Sequence, residues 1–290
     1  MAESGALRAP WRIALFAVIL VLTYLASVGL AGPIIAPVLR LIGDDGMANE
    51  SWISVIALIA ATWICIRFVD KRPWSDVWLD RAAARPKWLA IGFGVGTLAI
   101  GLPIVALIAG GWLRSASAAP GSWWGACVRV SVLLVPAALT EELFTRGYIL
   151  SVLRGSVGWP FAIAGTSVGF GLLHWRNPGA TLGSVTLVTL AGFFLAAILY
   201  TTRSLYAAWM AHFAWNWTMA ALFHVSVSGF PLESPTYRYV DAGPDWATGG
   251  PWGPEGGLPA AAGMAGGIAL LVSRRRVWSS HSENSVQENT

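Results

Sequence analysis

The stretch "LTEELFTRGY", Leu139–Tyr148, places two adjacent carboxylates and an arginine inside a long apolar run. Glu142 and Arg146 are four residues apart, so a helix would bring them together on one face. Glu141 precedes Glu142 by one residue and would point about 100° away around the same helix. The spacing therefore predicts a structural ion pair between Glu142 and Arg146, and a separate carboxylate, Glu141, that is free to act as a general base.

The composition around this stretch is that of a membrane protein. Hydrophobic residues make up 56% of the 290 residues and charged residues only 12%, whereas soluble domains carry about 25% charged residues. The mean hydropathy is +0.60. The net charge of +4 comes from basic residues scattered between apolar runs, which argues against a nucleic-acid partner. The two cysteines, Cys65 and Cys127, form no disulfide framework or metal-binding motif.

Stretches that are almost free of Asp, Glu, Lys and Arg predict about eight transmembrane helices, since a spanning helix needs about 20 apolar residues. The predicted segments are 13–39, 51–66, 88–113, 122–145, 155–175, 177–202, 204–232 and 256–273. The predicted fold class is therefore an all-α, polytopic helical bundle. We divide it into N-terminal transmembrane helices over 1–120, a catalytic transmembrane core over 121–277 and a disordered polar tail over 278–290.

The distribution of Lys and Arg predicts the orientation. With eight alternating spans and the amino terminus inside, 14 of the 19 basic residues fall on the cytoplasmic side. The chain is therefore expected to be a multi-pass protein of the cell membrane with both termini cytoplasmic and with residues 229–257 outside.

Three polar side chains in other apolar segments complement Glu141. They are His174, His212 and Asn216, and the last two share a helix face at i,i+4 spacing. Glu141 could take a proton from water that His174 orients, while His212 and Asn216 stabilise an oxyanion. These residues favour hydrolysis, although a metal site, a proton-coupled transporter and a structural polar network remain open at this point. No HExxH or GxSxG motif is present, and His224 is interpreted as a packing residue.

Three motifs resemble those of the CPBP family of CAAX proteases and bacteriocin-processing enzymes, which includes the type II CAAX prenyl endopeptidases. "EELFTR" (Glu141–Arg146) is similar to the family's EExxxR motif, "FGLLH" (Phe170–His174) to FxxxH, and "HFAWN" (His212–Asn216) to HxxxN. They occur in the family's order over about residues 125–220. "GGPWGPEGG" (Gly249–Gly257) also resembles the carboxy-terminal part of many bacterial members.

The resemblance implies a glutamate-dependent intramembrane endopeptidase. Glu141 and His174 would activate water, His212 and Asn216 would form the oxyanion hole, and Glu142 and Arg146 would support the site. No cofactor is expected. The alternative is zinc or another divalent metal held by Glu141, His174 and His212. The expected partners are the bilayer and a membrane-associated or lipidated protein or peptide, and an immunity or scaffold protein without catalysis is a further alternative.

Depth in the membrane sets a condition on this site. Straight full spans would place Glu141 near the cytoplasmic side and His174 near the outer end of its helix, a mismatch of roughly one to two helical turns at about 1.5 Å per residue. We therefore expect the 155–175 segment to be short, strongly tilted, or broken at Pro160 or a nearby glycine.

Overall fold

A computed structural model describes residues 8–43 and 46–287, with side chains described as far as Ser273. The described part is mainly helical. The helices are α1 Ala9–Leu30, α2 Gly32–Arg40, α3 Met47–Ile64, α4 Pro86–Ala109, α5 Trp123–Glu142, α6 Tyr148–Leu173, α7 Leu182–Thr202, α8 Leu205–Trp217, α9 Asp245–Thr248 and α10 Leu258–Gln287. Two short strands, β1 Leu113–Ser117 and β2 Tyr237–Asp241, pair antiparallel with Leu113 opposite Asp241. The all-α fold class is confirmed.

Among the residues that the structure describes, five helical stretches are long and apolar enough to cross a membrane. They are Ala9–Leu30, Met47–Asp70, Pro86–Ala109, Trp123–Arg176 and Leu182–Thr202. The fourth is 54 residues long and contains both α5 and α6, so it accounts for two of the predicted segments. Helix α8 and the shorter apolar helix Leu258–Ser273 correspond to the last two, and all eight predicted segments are therefore helical in part or in full.

Exposed apolar side chains cover the outer faces of the bundle. On α1, Val18, Val21, Leu22 and Leu25 are each between 56% and 61% exposed. Soluble proteins seldom expose apolar patches of this extent, whereas lipid tails solvate them without cost. The surface therefore agrees with the composition in placing the bundle in a bilayer.

Short π-helical turns continue three of the helices: Cys65–Asp70 after α3, Leu143–Gly147 after α5 and Thr218–Leu222 after α8. Such turns inside longer helices are rare and occur frequently at functional sites. The turn after α5 contains Arg146, and the turn after α8 follows His212 and Asn216. The irregular backbone therefore lies next to the residues that the motifs identify.

The depth mismatch is resolved by a break in α6 at Gly158, where φ is 78°, a value that glycine adopts without strain. Pro160 follows the break, and proline is compatible with a helix start because it lacks the N–H group that a first turn leaves unpaired. The expected break near Pro160 is thus present. The short second part of α6 runs from the break to Leu173 and ends beside His174.

The predicted end of the fourth segment near residue 145 is wrong. Helical backbone continues past Thr145 into the first part of α6, as far as Val157. At about 1.5 Å per residue, Glu141 lies about 24 Å along the helix from the break. His174 lies about 22 Å from the break along the second part of α6, which runs back in the opposite direction. The two side chains meet at one depth because the chain reverses at Gly158, later than the pattern of charges predicts.

Helix α10 begins at Leu258 and runs to Gln287. Its backbone is therefore helical through most of 278–290, the segment for which the polar composition predicts disorder. The last three residues, 288–290, lie outside the described residues.

Candidate active site

The two adjacent glutamates of α5 have opposite environments. Glu142 is fully buried, whereas the Glu141 side chain is 35% exposed and lines a cavity. The one-residue step around the helix separates them, as the spacing predicts. One carboxylate therefore belongs to the protein interior and the other faces the space where a ligand could bind.

Arg146 pairs with the buried carboxylate. Its Nη1 donates a hydrogen bond to Glu142 Oε1 over 2.7 Å, and its Nη2 donates to the carbonyl oxygen of Gly192 on α7 over 3.1 Å. The guanidinium carbon lies 4.3 Å from the centroid of the Phe170 ring. The predicted Glu142–Arg146 ion pair is confirmed, and it joins α5, α6 and α7 where no water can compensate the charges.

His174 stands directly beyond α6 and faces Glu141. Its Nε2 is 3.6 Å from Glu141 Oε2. Its Nδ1 is 2.8 Å from the carbonyl oxygen of Phe170, which can only accept, so Nδ1 carries the proton. In a neutral ring the Nε2 lone pair is consequently directed toward Glu141.

His212 on α8 connects the two glutamates. Its Nδ1 donates to Glu142 Oε1 over 3.0 Å, while its Nε2 lies 3.8 Å from Glu141 Oε2. Because Glu142 is an acceptor already bound by Arg146, the neutral ring again keeps its free lone pair on Nε2. His212 can donate a hydrogen bond from Nε2 only after it has taken up a second proton.

All four predicted catalytic residues line one cavity of about 340 Å³. Glu141, His174, His212 and Asn216 lie on its wall, and α3, α5 and the segment after α8 supply most of the remainder, including Glu50, Ser228 and Phe230. The four residues, which come from three separate apolar segments, therefore converge as the motifs imply.

The donor set at this wall suits a metal in kind. Two imidazole nitrogens and one carboxylate oxygen face one another, and zinc accepts such ligands. Their present positions do not qualify as a metal cluster, however, since no group of three or more His, Cys, Asp or Glu able to hold a metal occurs among the described residues. Glu141 Oε2 is buried and has no hydrogen-bond partner among the residues that the structure describes. It is therefore available to accept a hydrogen from a donor.

The sequence did not identify several residues that the structure adds. Phe170 begins the "FGLLH" motif, which by itself predicts no role for this residue. Its ring contacts both the Arg146 guanidinium and the His174 ring. Ser228 and Glu255 approach the cavity from the segment between α8 and α10. "GGPWGPEGG" contains Glu255, so an isolated carboxylate among glycines was the available signal. His224 packs against Tyr237 away from the cavity that Glu141 lines, as a packing residue would.

The comparison with known families adds the decisive observation. Residues 122–218 match the family described as type II CAAX prenyl endopeptidase Rce1-like. This match supports a CPBP-family protease. The match begins just before α5 and ends at the π-turn after α8, so it covers all three motifs and every residue of the Glu141, Glu142, Arg146, His174, His212 and Asn216 set. No curated protein and no solved structure matches the chain.

This match supports the predicted resemblance and the coarse assignment to CAAX-type intramembrane proteases. The apolar helices indicate a multi-pass membrane protein whose environment is the lipid bilayer.

Proposed function

We propose that the chain is a glutamate-type intramembrane endopeptidase that hydrolyses a peptide bond in a membrane-associated or lipidated substrate. The observation that supports this most strongly is the position of Glu141 Oε2, 3.6 Å from His174 Nε2 and 3.8 Å from His212 Nε2 at the wall of a cavity. Glu141 Oε2 and His174 Nε2 can each accept one of the two hydrogens of a single water molecule, which leaves His212 Nε2 to face the oxyanion.

In the proposed mechanism, that water attacks the carbonyl carbon of the scissile bond. Glu141 takes one proton from the water, and His174 accepts a hydrogen bond from it through Nε2. The carbonyl oxygen becomes an oxyanion, which the Asn216 amide and the doubly protonated His212 ring stabilise. The intermediate then collapses, the carbon–nitrogen bond breaks, and Glu141 returns its proton to the leaving amine.

The Glu142–Arg146 pair supports this site without contacting the substrate. Glu142 Oε1 binds both Arg146 Nη1 and His212 Nδ1. The contact with Nδ1 orients the imidazole and directs Nε2 to the cavity. That contact is kept when His212 takes up the second proton that the oxyanion role requires, since Nδ1 carries a hydrogen in both states.

A metal-dependent peptidase on the same residues is the second candidate, because Glu141, His174 and His212 are of the right chemical kind to hold zinc. A bound zinc would polarise the substrate carbonyl and activate water. In that case the Nδ1 contacts of the two histidines, with Phe170 O and Glu142 Oε1, would orient the ligands.

The proposed function is tested by comparing the termini of membrane proteins in cells that carry the wild-type protein or Glu141→Gln. We expect new amino termini in wild-type cells that are missing in Glu141→Gln cells, because the variant loses only the proton acceptor. Glu50→Gln is the matched control, since it removes a carboxylate from the same cavity and should keep the wild-type termini. Identical termini in wild-type and Glu141→Gln cells would favour a scaffold or immunity protein.

A further inference from the structure

Glu255 is a buried carboxylate that the proposed mechanism does not use. It lies in the short 3₁₀ turn Pro254–Gly256 just before α10, and the residue is only 8% exposed. No cation pairs with it in the described part of the chain. A buried glutamate without an arginine or lysine is unusual, because moving an ionised carboxylate out of water is costly unless hydrogen bonds compensate it.

Three donors provide that compensation. Trp215 Nε1 donates to Glu255 Oε2 over 3.0 Å, while the backbone N–H and the hydroxyl of Ser228 both donate to Oε1 over 2.6 Å. Each contact supplies a hydrogen and none supplies a lone pair, which matches the acceptor oxygens of a carboxylate. Hydrogen bonds to a charged acceptor are roughly twice as strong as neutral ones.

The first element that Glu255 holds is the turn Val227–Phe230. Its central residues, Ser228 and Gly229, have φ values of 48° and 85°, and positive φ at both positions is typical of a type I′ turn. Val227 and Phe230 exchange two backbone hydrogen bonds of 3.0 and 2.9 Å. Val227, Ser228 and Phe230 line the same cavity as Glu141, so the placement of this turn shapes one wall of the active site.

The second element is α8. Trp215 immediately precedes Asn216 and follows His212 by three residues on that helix. A small cavity of about 30 Å³ is bounded by Glu255 and Ser228 together with His174, His212 and Asn216. This volume exceeds the minimum of about 10–15 Å³ that one water needs. The Glu255 contacts therefore lie directly behind three of the four catalytic residues.

We propose that Glu255 is a positioning residue of the active site, which fixes the turn Val227–Phe230 and the Trp215–Asn216 part of α8 relative to each other. The expected effect of Glu255 on turnover rests on the proposed peptidase function. The placement of the turn can be measured without any activity. A displacement of about 1 Å at a catalytic group can lower the rate about 10²-fold.

Two readouts test the proposal in the full chain in detergent. The first is the maleimide labelling rate of Phe230→Cys, a position that is 37% exposed, while the native Cys65 and Cys127 are buried. The second is kcat and KM on a farnesylated, internally quenched peptide. In Glu255→Gln, one oxygen still accepts from Ser228, but an NH₂ group opposes the indole N–H of Trp215. We expect faster labelling and a kcat lowered about 10²-fold with KM unchanged.

Trp215→Phe removes the indole N–H that opposes the NH₂ group in Glu255→Gln. It should therefore partly restore both the labelling rate and kcat. The double variant Glu255→Gln/Trp215→Phe should label more slowly and turn over faster than Glu255→Gln alone. Glu233→Gln is the matched control, because Glu233 lies on the same side of the bundle in an exposed pair with Arg129 and should change neither readout. If Glu255→Gln fails to fold, Ser228→Ala removes one donor, keeps the backbone contact, and should give a smaller change in the same direction.

Wild-type labelling and kcat in Glu255→Gln would overturn the proposal. So would a lowered kcat that Trp215→Phe does not restore, because the effect would then not pass through the indole contact. If the wild-type protein does not cleave the peptide at all, the peptidase proposal fails for this probe, whereas the labelling rates still decide whether Glu255 positions the turn.

Discussion

At the scale of single residues, the site depends on a one-residue step along α5. Glu142 points into the protein and meets Arg146 and His212, whereas Glu141 points into the cavity. A helix rotates each residue by about 100°, so two adjacent carboxylates can have different partners and different chemistry. This division leads to two predictions.

The first prediction concerns the buried pair. Glu142→Gln leaves the Arg146 cation buried without its anion, and breaking a buried pair in this way costs about 3–5 kcal/mol. We expect a lower unfolding temperature in detergent together with reduced activity, because a neutral amide replaces the anion that accepts from both Arg146 Nη1 and His212 Nδ1. The double variant Glu142→Gln/Arg146→Met removes both charges and should recover stability while activity stays low. A Glu142→Gln protein that unfolds at the wild-type temperature would show that the ion pair does not stabilise the fold.

The second prediction separates an oxyanion hole from a metal site. Asn216 is a poor zinc ligand but a neutral hydrogen-bond donor, and loss of one oxyanion donor costs about 10²–10³ in rate. Asn216→Ala should therefore retain weak turnover with KM little changed. His212→Ala should behave similarly, and the double variant should fall short of additivity because both groups act on one oxygen.

Metal analysis of the purified protein completes this comparison. Stoichiometric metal in the wild-type protein that is lost in His174→Ala and His212→Ala would contradict the metal-free mechanism. Full activity in a preparation without metal would instead eliminate the metal-dependent alternative.

At the scale of helices, glycines set how closely α4 approaches α8. "GFGVG" (Gly92–Gly96) has the spacing of small residues that lets membrane helices pack closely, and this spacing predicts a packing role. In the structure, a Cβ atom at Gly92 would collide with the carbonyl oxygen of Ala207, and one at Gly96 with that of Ala211. The packing role is confirmed, and the second contact lies beside His212.

The third prediction uses this contact. Gly96→Ala should destabilise the protein by about 1–3 kcal/mol through overpacking and should lower activity because α8 carries His212 and Asn216. Gly94→Ala is the matched control on the same helix, since no atom lies within 4 Å of a Cβ placed there. Thermal unfolding in detergent should show a lower midpoint for Gly96→Ala and no loss for Gly94→Ala. Equal midpoints would mean that the close approach of α4 and α8 can relax without cost.

At the scale of the whole molecule, the helices define two faces. Arg12 near the start of α1 pairs with Asp70 after α3, which places these two ends together. The strand pair β1–β2 joins the end of α4 to the segment after α8, and this segment contributes Ser228 and Glu255 to the site. The basic residues of 67–87 therefore lie on the opposite face from residues 229–257.

The fourth prediction assigns these faces to sides of the membrane. Because Lys and Arg concentrate on cytoplasmic segments, Ala84→Cys should be labelled from the cytoplasm and Ala242→Cys from outside. Both positions are exposed, and the native cysteines are buried, so a membrane-impermeant maleimide reports each position by itself. Labelling of both positions from the same side would exclude the predicted topology.

The sequence by itself determined the features that depend on local periodicity and composition. The shortage of charged residues required a bilayer, the apolar runs predicted the helices, and helical spacing predicted the Glu142–Arg146 pair and the outward direction of Glu141. The three motifs also identified the residues that converge on the cavity. Each of these inferences needs only neighbours within a few positions along the chain, so the absence of tertiary information did not affect them.

Only the tertiary structure decided where the chain reverses and what reaches the site from a distance. Residues 146–157 carry few charges, so hydropathy could not show that helical backbone continues to Gly158, and this reversal point sets the common depth of Glu141 and His174. Glu255 reaches Trp215 and Ser228 through loops whose path depends on packing rather than on spacing. Contacts between residues that are far apart in the chain follow from the way that the helices pack, and local periodicity does not encode that packing.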